Sequence, residues 1–359
     1  MKPLKILDRY IIGKFLGTYI FAIALILAIT IMFDINEKLD AFLKAPLKAT
    51  IFDYFVNFLP YFANQFSPLF TFIAVIFFTS KLADNSEIIA MLSTGMSFGR
   101  LLRPYMISAA VIACATYLLS AYVIPPANIK RIDYTNTYVK NRRVDYGSNI
   151  QLQVAKGEIA YMSRYDATQK TGFKFSLDKF DGKVLVSKLT AQTIKWDTLH
   201  RWTVRDYMIR DFDKDRERIR RGGRLDTIIP FEPKDFLISK HDHETMTSPE
   251  LREYISRQKE RGVANIKSFE IENHRRYAMT AAAFILTIIG MSLSSRKVKG
   301  GMGVNIGIGL VLSFSYILFM TVTSTFAVSG LTSPMVAMWI PNFIYAIIGA
   351  ILYYKASHH

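Results

Sequence analysis

Two long hydrophobic blocks, residues 11–124 and 277–354, flank a charged stretch that belongs to neither. That stretch, 125–276, holds 31 Lys/Arg and 22 Asp/Glu and no apolar run long enough to cross a bilayer. Each block holds three apolar runs, near 11–33, 53–79 and 101–124, then near 277–294, 303–326 and 335–354. A bilayer core of roughly 30 Å is crossed by about 20 apolar helical residues. The pattern therefore predicts an α-helical membrane protein with six transmembrane helices and one inserted domain. A chain of this plan is not an ordinary soluble enzyme, and its work couples the membrane to the compartment that holds the insert. The second run carries Pro60 and Pro68 around Asn64 and Gln65. Such groups are tolerated at depth only where neighbouring helices, side chains or water satisfy the backbone.

Charge sets the orientation. Six spans return the chain to the side it started from. Eleven Lys/Arg, among them Lys2, Arg9, Lys81, Arg103 and Lys299, fall on that side, against Lys38, Lys44 and Lys48 in the opposite short loops. Both termini are expected in the cytoplasm and the insert outside. Long domains carry no weight in that rule, so the basic insert is no objection. An isoelectric point near 9.7 follows from this topology more simply than from nucleic-acid binding. The first 33 residues have the layout of a signal peptide, but the apolar part is too long and lacks a small-residue cleavage site; an uncleaved span is expected. Cys114 is the lone cysteine, so no intrachain disulfide staples the insert, which needs a core of its own.

Inside the insert the periodicity changes from helical to alternating, at 150–155, 173–177, 183–190, 194–197 and 202–210. Asp181-Gly182 and Gly222-Gly223 read as turns between runs. Short, closely spaced strands predict an all-β domain of the β-sandwich or jelly-roll kind. Its edge strands are either blunted by Lys and Arg or used to accept another strand. Thr247, Pro249 and Glu250 start a helix of about 249–261 with a capping-box pattern. A second helix, from about 265, runs into the fourth span. The expected division is 1–124, 125–270 and 271–359.

Few residues suggest chemistry. His241-Asp-His-Glu244 lacks the further ligands a zinc site needs and reads as a linker. The glycine run from Gly301 to Gly309 lacks the Lys-Ser/Thr ending of a nucleotide loop. Its Gly303 and Gly307 form a small-residue pair that lets helices approach closely, either as static packing or as a contact that opens. With no nucleophile–base set and no Walker motif, no enzyme activity and no metal or cofactor is expected on this chain, and any energy comes from a partner. The informative segment is Asp84 to Ser97, between the second and third spans. It predicts a short amphipathic helix of about 84–95, started by Asn85 or Ser86 and Glu87, ended by Gly95, with Ile88, Ile89, Met91 and Leu92 on an apolar face. Such a helix either lies in the headgroups or plugs into a groove of another protein.

Leu7-Asp8-Arg9-Tyr10, then Ser86-Glu87-x-x-Ala90-x-x-x-x-Gly95-x-Ser97, then Val123-x-Pro125, in this order and topology, resemble the LptF/LptG (YjgP/YjgQ) permease family along the whole chain. The Leu-Asp-Arg-Tyr start is more similar to LptG than to LptF. The resemblance implies the membrane half of a bacterial inner-membrane ABC transporter that extracts lipopolysaccharide. It implies a second LptF/LptG-type permease beside it, and a dimeric LptB-like ATPase that uses ATP and magnesium. It implies a periplasmic jelly roll that passes lipid to an LptC/LptA-like protein. Glu87, Ala90, Met91 and Gly95 match the coupling helix that seats in the ATPase. The first and fifth spans correspond to the lateral gate, so Gly303 and Gly307 become gate candidates. Phe33, Lys38 and Lys44 are the candidate lipid contacts. Here the chain departs from the family, because Asp34-Ile-Asn-Glu37-Lys38-Leu-Asp40 is mostly acidic where several basic residues can meet lipid phosphates. The alternative reading is an ABC-type mechanotransmission or scaffold subunit that carries no lipid itself.

Overall fold

In a bilayer every backbone donor must be satisfied within its own segment, so the apolar runs fold as helices. The computed structural model describes residues 5–139, 147–213, 216–233, 242–260, 266–296 and 301–358. The chain separates into two compact units. One comprises Met1–Val139, Glu244–Ser248 and Lys267–His359, the other Lys140–His243 and Pro249–Ile266.

In chain order the helices are α1 (Ile6–Glu37), α2 (Leu39–Lys44), α3 (Leu47–Ala49), α4 (Val56–Gln65), α5 (Ser67–Asp84), α6 (Glu87–Ser93), α7 (Phe98–Leu118), α8 (Ile124–Tyr134), α9 (Ser248–Glu260), α10 (Lys267–Ser294), α11 (Gly301–Ser329) and α12 (Pro334–Ser357). Among the described residues, six helical segments are long and apolar enough to cross a membrane. They make the chain a multi-pass membrane protein.

The second hydrophobic run is not one unbroken helix. A π-helical turn at Thr50–Phe55 leads into α4, and the chain breaks at Phe66 before α5. Proline explains the break, because Pro68 has no N–H to give to a continuing helix and its ring crowds the preceding turn. The third run does the opposite. Its helix runs from α7 through a π-helical turn (Leu119–Val123) and continues past residue 124 as α8, then a second such turn to Val139. Pro125 and Pro126 fall in the first turn of α8, where a missing N–H costs least.

α5 is the axis of the membrane unit. Phe72 and Ile76 pack with Ala278, Leu286 and Tyr316, while Val75 and Phe78 join Ile11, Phe15 and Tyr105. Two glycines permit this. A Cβ on Gly290 of α10 would sit 2.8 Å from Val75, and one on Gly309 of α11 would collide with Ile76. Polar groups at depth are answered by other helices: Asn342 donates to the Ala278 carbonyl (2.8 Å) and accepts from the Tyr316 hydroxyl (2.8 Å). α1, by contrast, buries only Asp8, Ile11, Phe15 and Asp34. Ile20, Phe21, Leu25, Met32 and Phe33 stay exposed, as do Val311, Phe314 and Leu318 of α11.

The inserted unit is all-β in its sheet. β1 (Gly147–Ala155), β2 (Glu158–Asp166), β3 (Thr171–Asp181), β4 (Val184–Trp196), β5 (Arg201–Asp213) and β6 (Arg216–Ile228) pair in chain order as one antiparallel meander. No crossover connection occurs among these described strands. Gly157 turns β1 into β2 at φ +78°, where a Cβ would meet the Phe180 carbonyl at 2.6 Å. The core gathers Leu152, Met162, Phe175, Leu189, Ile194 and Val204 on one face, the period-two alternation of a half-buried sheet. Trp202 closes it, stacked on Phe231 at 4.5 Å with its indole N–H donating to the Phe231 carbonyl at 3.0 Å. Gly222-Gly223 is not a turn but lies inside β6. Gly222 is paired with Tyr207, whose ring covers the position where a side chain would be. The glycine signal there marks a close approach across strands rather than a reversal.

Candidate functional site

The turn from α5 through α6 to α7 is held from the chain's first residues. Ser86 enters it at φ +60°, a left-handed conformation that non-glycine residues rarely adopt. Gly95 leaves it at φ +83°. The carboxylate of Glu87 accepts from the Tyr10 hydroxyl (3.3 Å) and from the Asn85 amide (3.2 Å). On the far side, Ser97 caps α7 by accepting the Arg100 N–H at 3.2 Å. Asp8, 1% exposed, takes both terminal nitrogens of Arg100 at 2.7 and 2.9 Å and the Lys5 N–H at 3.1 Å. A bidentate guanidinium–carboxylate pair fixes orientation as well as distance. α1 is thereby tied to both ends of the turn.

α6 divides its side chains accordingly. Ile88 is buried, and Met91, Leu92 and Met96 pack partly against the bundle. Ile89, Ala90, Ser93, Thr94 and Gly95 face outward. Of the four residues matched to a coupling helix, Ala90 and Gly95 lie on the outer face, Glu87 at its start, and Met91 on the inner side. The sequence pattern missed Asp8, Tyr10 and Arg100 as parts of this site. Their partners lie 77 and 92 positions away, beyond any local periodicity.

At the opposite end of α1, Lys38 is already engaged. Its ammonium is paired with Asp34, donates to the Tyr54 hydroxyl at 2.6 Å, and lies 5.2 Å from the Tyr54 ring centroid. Tyr54 in turn donates to Asp34 at 3.2 Å. Phe33 and Lys44 remain exposed. Of the three candidate lipid contacts, Lys38 is the one held by partners within the chain. Gly303 and Gly307 have no atom within 4 Å of where a Cβ would be. Within this chain the close helix contact of α11 is made at Gly309.

A second polar cluster, also missed, grips the strap Glu244–Ser248. Arg276, 4% exposed, donates to Glu272 (2.9 Å), to the Ser248 hydroxyl (2.9 Å) and to the Met246 carbonyl (3.0 Å). Asn128 donates to the Glu244 carbonyl at 3.1 Å, and Arg131 to its carboxylate at 3.3 Å. Arg275 shares Glu272 at 2.6 Å. Glu244 is thus spent on an arginine. His241 lies outside the described residues, and among those described no three His, Cys, Asp or Glu side chains gather as metal ligands.

Six bilayer-length helical segments with an antiparallel sheet inserted between them in sequence define a multi-pass membrane protein with an inserted β domain. The chain belongs to the LptF/LptG family, matching the lipopolysaccharide export system permease LptF/LptG over residues 9–355. It is accordingly a permease component of a transporter and not a catalytic enzyme. The match does not separate LptF from LptG. No curated protein sequence matches the chain significantly.

Proposed function

We propose that this chain is the transmembrane subunit of an ATP-driven exporter that draws lipopolysaccharide out of the bacterial inner membrane and passes it to a periplasmic bridge. Both termini and α6 lie in the cytoplasm, and the inserted sheet lies in the periplasm. The chain works beside a second LptF/LptG-type permease. An LptB-like ATPase dimer binds ATP and magnesium, and this chain needs no cofactor. An LptC/LptA-like protein receives the lipid. The chain's Leu7-Asp8-Arg9-Tyr10 favours the LptG role.

One observation carries the energetic part of this reading: the α5–α6–α7 turn is braced by α1 through Tyr10–Glu87 and Asp8–Arg100, while Ile89 and Ala90 face outward. A helix presented on a rigid frame can take a push from a partner groove without dissipating it. Glu87, Ala90 and Gly95 contact the ATPase, and Met91 sets the seat from inside. The exposed apolar faces of α1 and α11, with Gly303 and Gly307 on the latter, form the sideways-opening lipid path. Phe33 and Lys44 are the lipid contacts at its outer end, and Lys38 contributes through Asp34 and Tyr54.

A scaffold subunit that moves the inserted domain without carrying lipid would share the turn and the sheet. Photocrosslinking residues at Phe21 and Phe314, in the assembled complex, separate the two. A carrier gives a lipopolysaccharide adduct from both positions; absence of any lipid adduct contradicts the proposal.

A further inference from the structure

Away from the turn and the strap, the flank of the membrane unit carries an apolar groove of about 260 Å³. Leu102 of α7, Ile285 and Ile288 of α10, and Gly349, Ala350 and Tyr353 of α12 line it. All three walls are membrane-spanning helices, so the groove meets hydrocarbon rather than water. Ala350 is exposed, which leaves the groove open sideways. Gly349 forms its floor, where a Cβ would press on Ile289 at 3.3 Å. The one polar side-chain group on its lining is the Tyr353 hydroxyl. Phe98 holds that ring at a centroid distance of 5.6 Å, and the hydroxyl has no hydrogen bond among the described residues.

The end of the groove nearest Tyr353 is cationic. Lys355 follows two residues later, exposed at the end of α12. Arg296, just beyond α10, donates to the carbonyls of Lys355 and Ala356 at 3.3 Å each, which holds its charge at this same end. α7 and α12 contain no Asp or Glu, and α10 has none beyond Glu272, near its other end. The carboxylate of Asp8 on α1 is committed to Arg100. An apolar groove with a cationic end is complementary to an anionic headgroup carrying an apolar tail.

We propose that this groove holds one acyl chain of an acidic membrane glycerophospholipid, with its phosphate at the cationic end formed by Arg296 and Lys355. The site is independent of the exported lipid. Only the leaflet, cytoplasmic, rests on the orientation proposed above. A resident lipid there wedges α7, α10 and α12 at the end of the bundle that carries α6.

The test is native mass spectrometry of the full-length chain released from nanodiscs holding equal parts phosphatidylethanolamine and phosphatidylglycerol. The wild-type chain retains phosphatidylglycerol preferentially. Ala350→Phe, which fills the slot from an outward-facing position, loses that retained lipid. The double variant Arg296→Gln, Lys355→Gln keeps a lipid but loses roughly 25-fold in headgroup preference, since each cation near the surface is worth about a fivefold factor. Lys355→Gln alone, at an exposed position, loses part of the preference without touching the packing. Equal retention of both lipids by the wild type, or undiminished phosphatidylglycerol on the Ala350→Phe chain, overturns the proposal. So does a crosslink from Ala350→Cys to another polypeptide in place of lipid.

Discussion

Asp8 answers three donors at once, Lys5 N–H and both terminal nitrogens of Arg100, and is the residue whose loss should be felt most at the α6 turn. Asp8→Asn keeps the shape but removes the charge. It should cost roughly 2 kcal/mol, between the value of an exposed pair and that of a fully buried one, because Arg100 is partly exposed. Thermal melting of the purified chain measures this. Tyr10→Phe removes only a long, exposed hydrogen bond and should cost a few tenths of a kcal/mol, within the ordinary range for surface changes. Lys38 and Lys44 separate in the same way. Lys38→Met leaves Asp34, 7% exposed, without its ammonium, and should destabilise by about 2–3 kcal/mol. Lys44→Ala should leave stability unchanged and weaken only lipid adducts. The sequence made Lys38 legible as a basic residue at the end of a span. It could not show that Asp34 and Tyr54, 4 and 16 positions away, had already claimed it. The Leu-Asp-Arg-Tyr motif was legible as a family mark, yet its chemistry became visible only once Arg100 and Glu87 were brought to it.

Elements follow their periodicity until proline, glycine or long-range packing intervenes. The six hydrophobic runs were readable, but the break at Phe66 and the continuation of the third helix to Val139 depend on which carbonyls lose a donor. Gly222 looked like a turn because its partner Tyr207 is invisible from a single strand. On α11 the small residues divide by facing: Gly309→Val drives a side chain into Ile76 and should destabilise by about 1–3 kcal/mol. Gly303→Ala and Gly307→Ala, with nothing within 4 Å, should not lower the melting temperature of the isolated chain, since alanine is the better helix former. The strap makes a parallel case. Arg276→Ala takes the guanidinium away from buried Glu272 and the donor away from Met246 and Ser248, at a cost of about 3–5 kcal/mol. Hydrogen exchange should rise across Glu244–Ser248 first. In the sheet, the Ser187 hydroxyl and then Arg220 hold the Asp211 carboxyl below its ordinary value, and the Thr203 hydroxyl and then Arg224 do the same for Asp226. A lowered native pKa gives stability that is complete above the unfolded value, 3.8, and fades as pH falls through the native one. Exchange along β5 and β6 should therefore increase below about pH 3.8. The effect should be small and should shrink with added salt, because these carboxylates are solvent-exposed.

For the whole molecule, the exposed apolar faces of α1 and α11 and the sheet between two membrane halves describe a chain that handles something amphiphilic. Each methylene taken from hydrocarbon into water costs about 0.8 kcal/mol. A lipid with many of them does not leave the bilayer unaided, and an external energy source has to reach the lipid path. The braced turn around Glu87 is the route proposed for that energy. The most direct measurement is ATP-driven lipopolysaccharide release from proteoliposomes holding this chain with its partner permease and ATPase, wild type against Glu87→Lys. The variant should insert and melt like the wild type, yet release lipid no faster than vesicles without ATP. Undiminished ATP-dependent release by Glu87→Lys would contradict it.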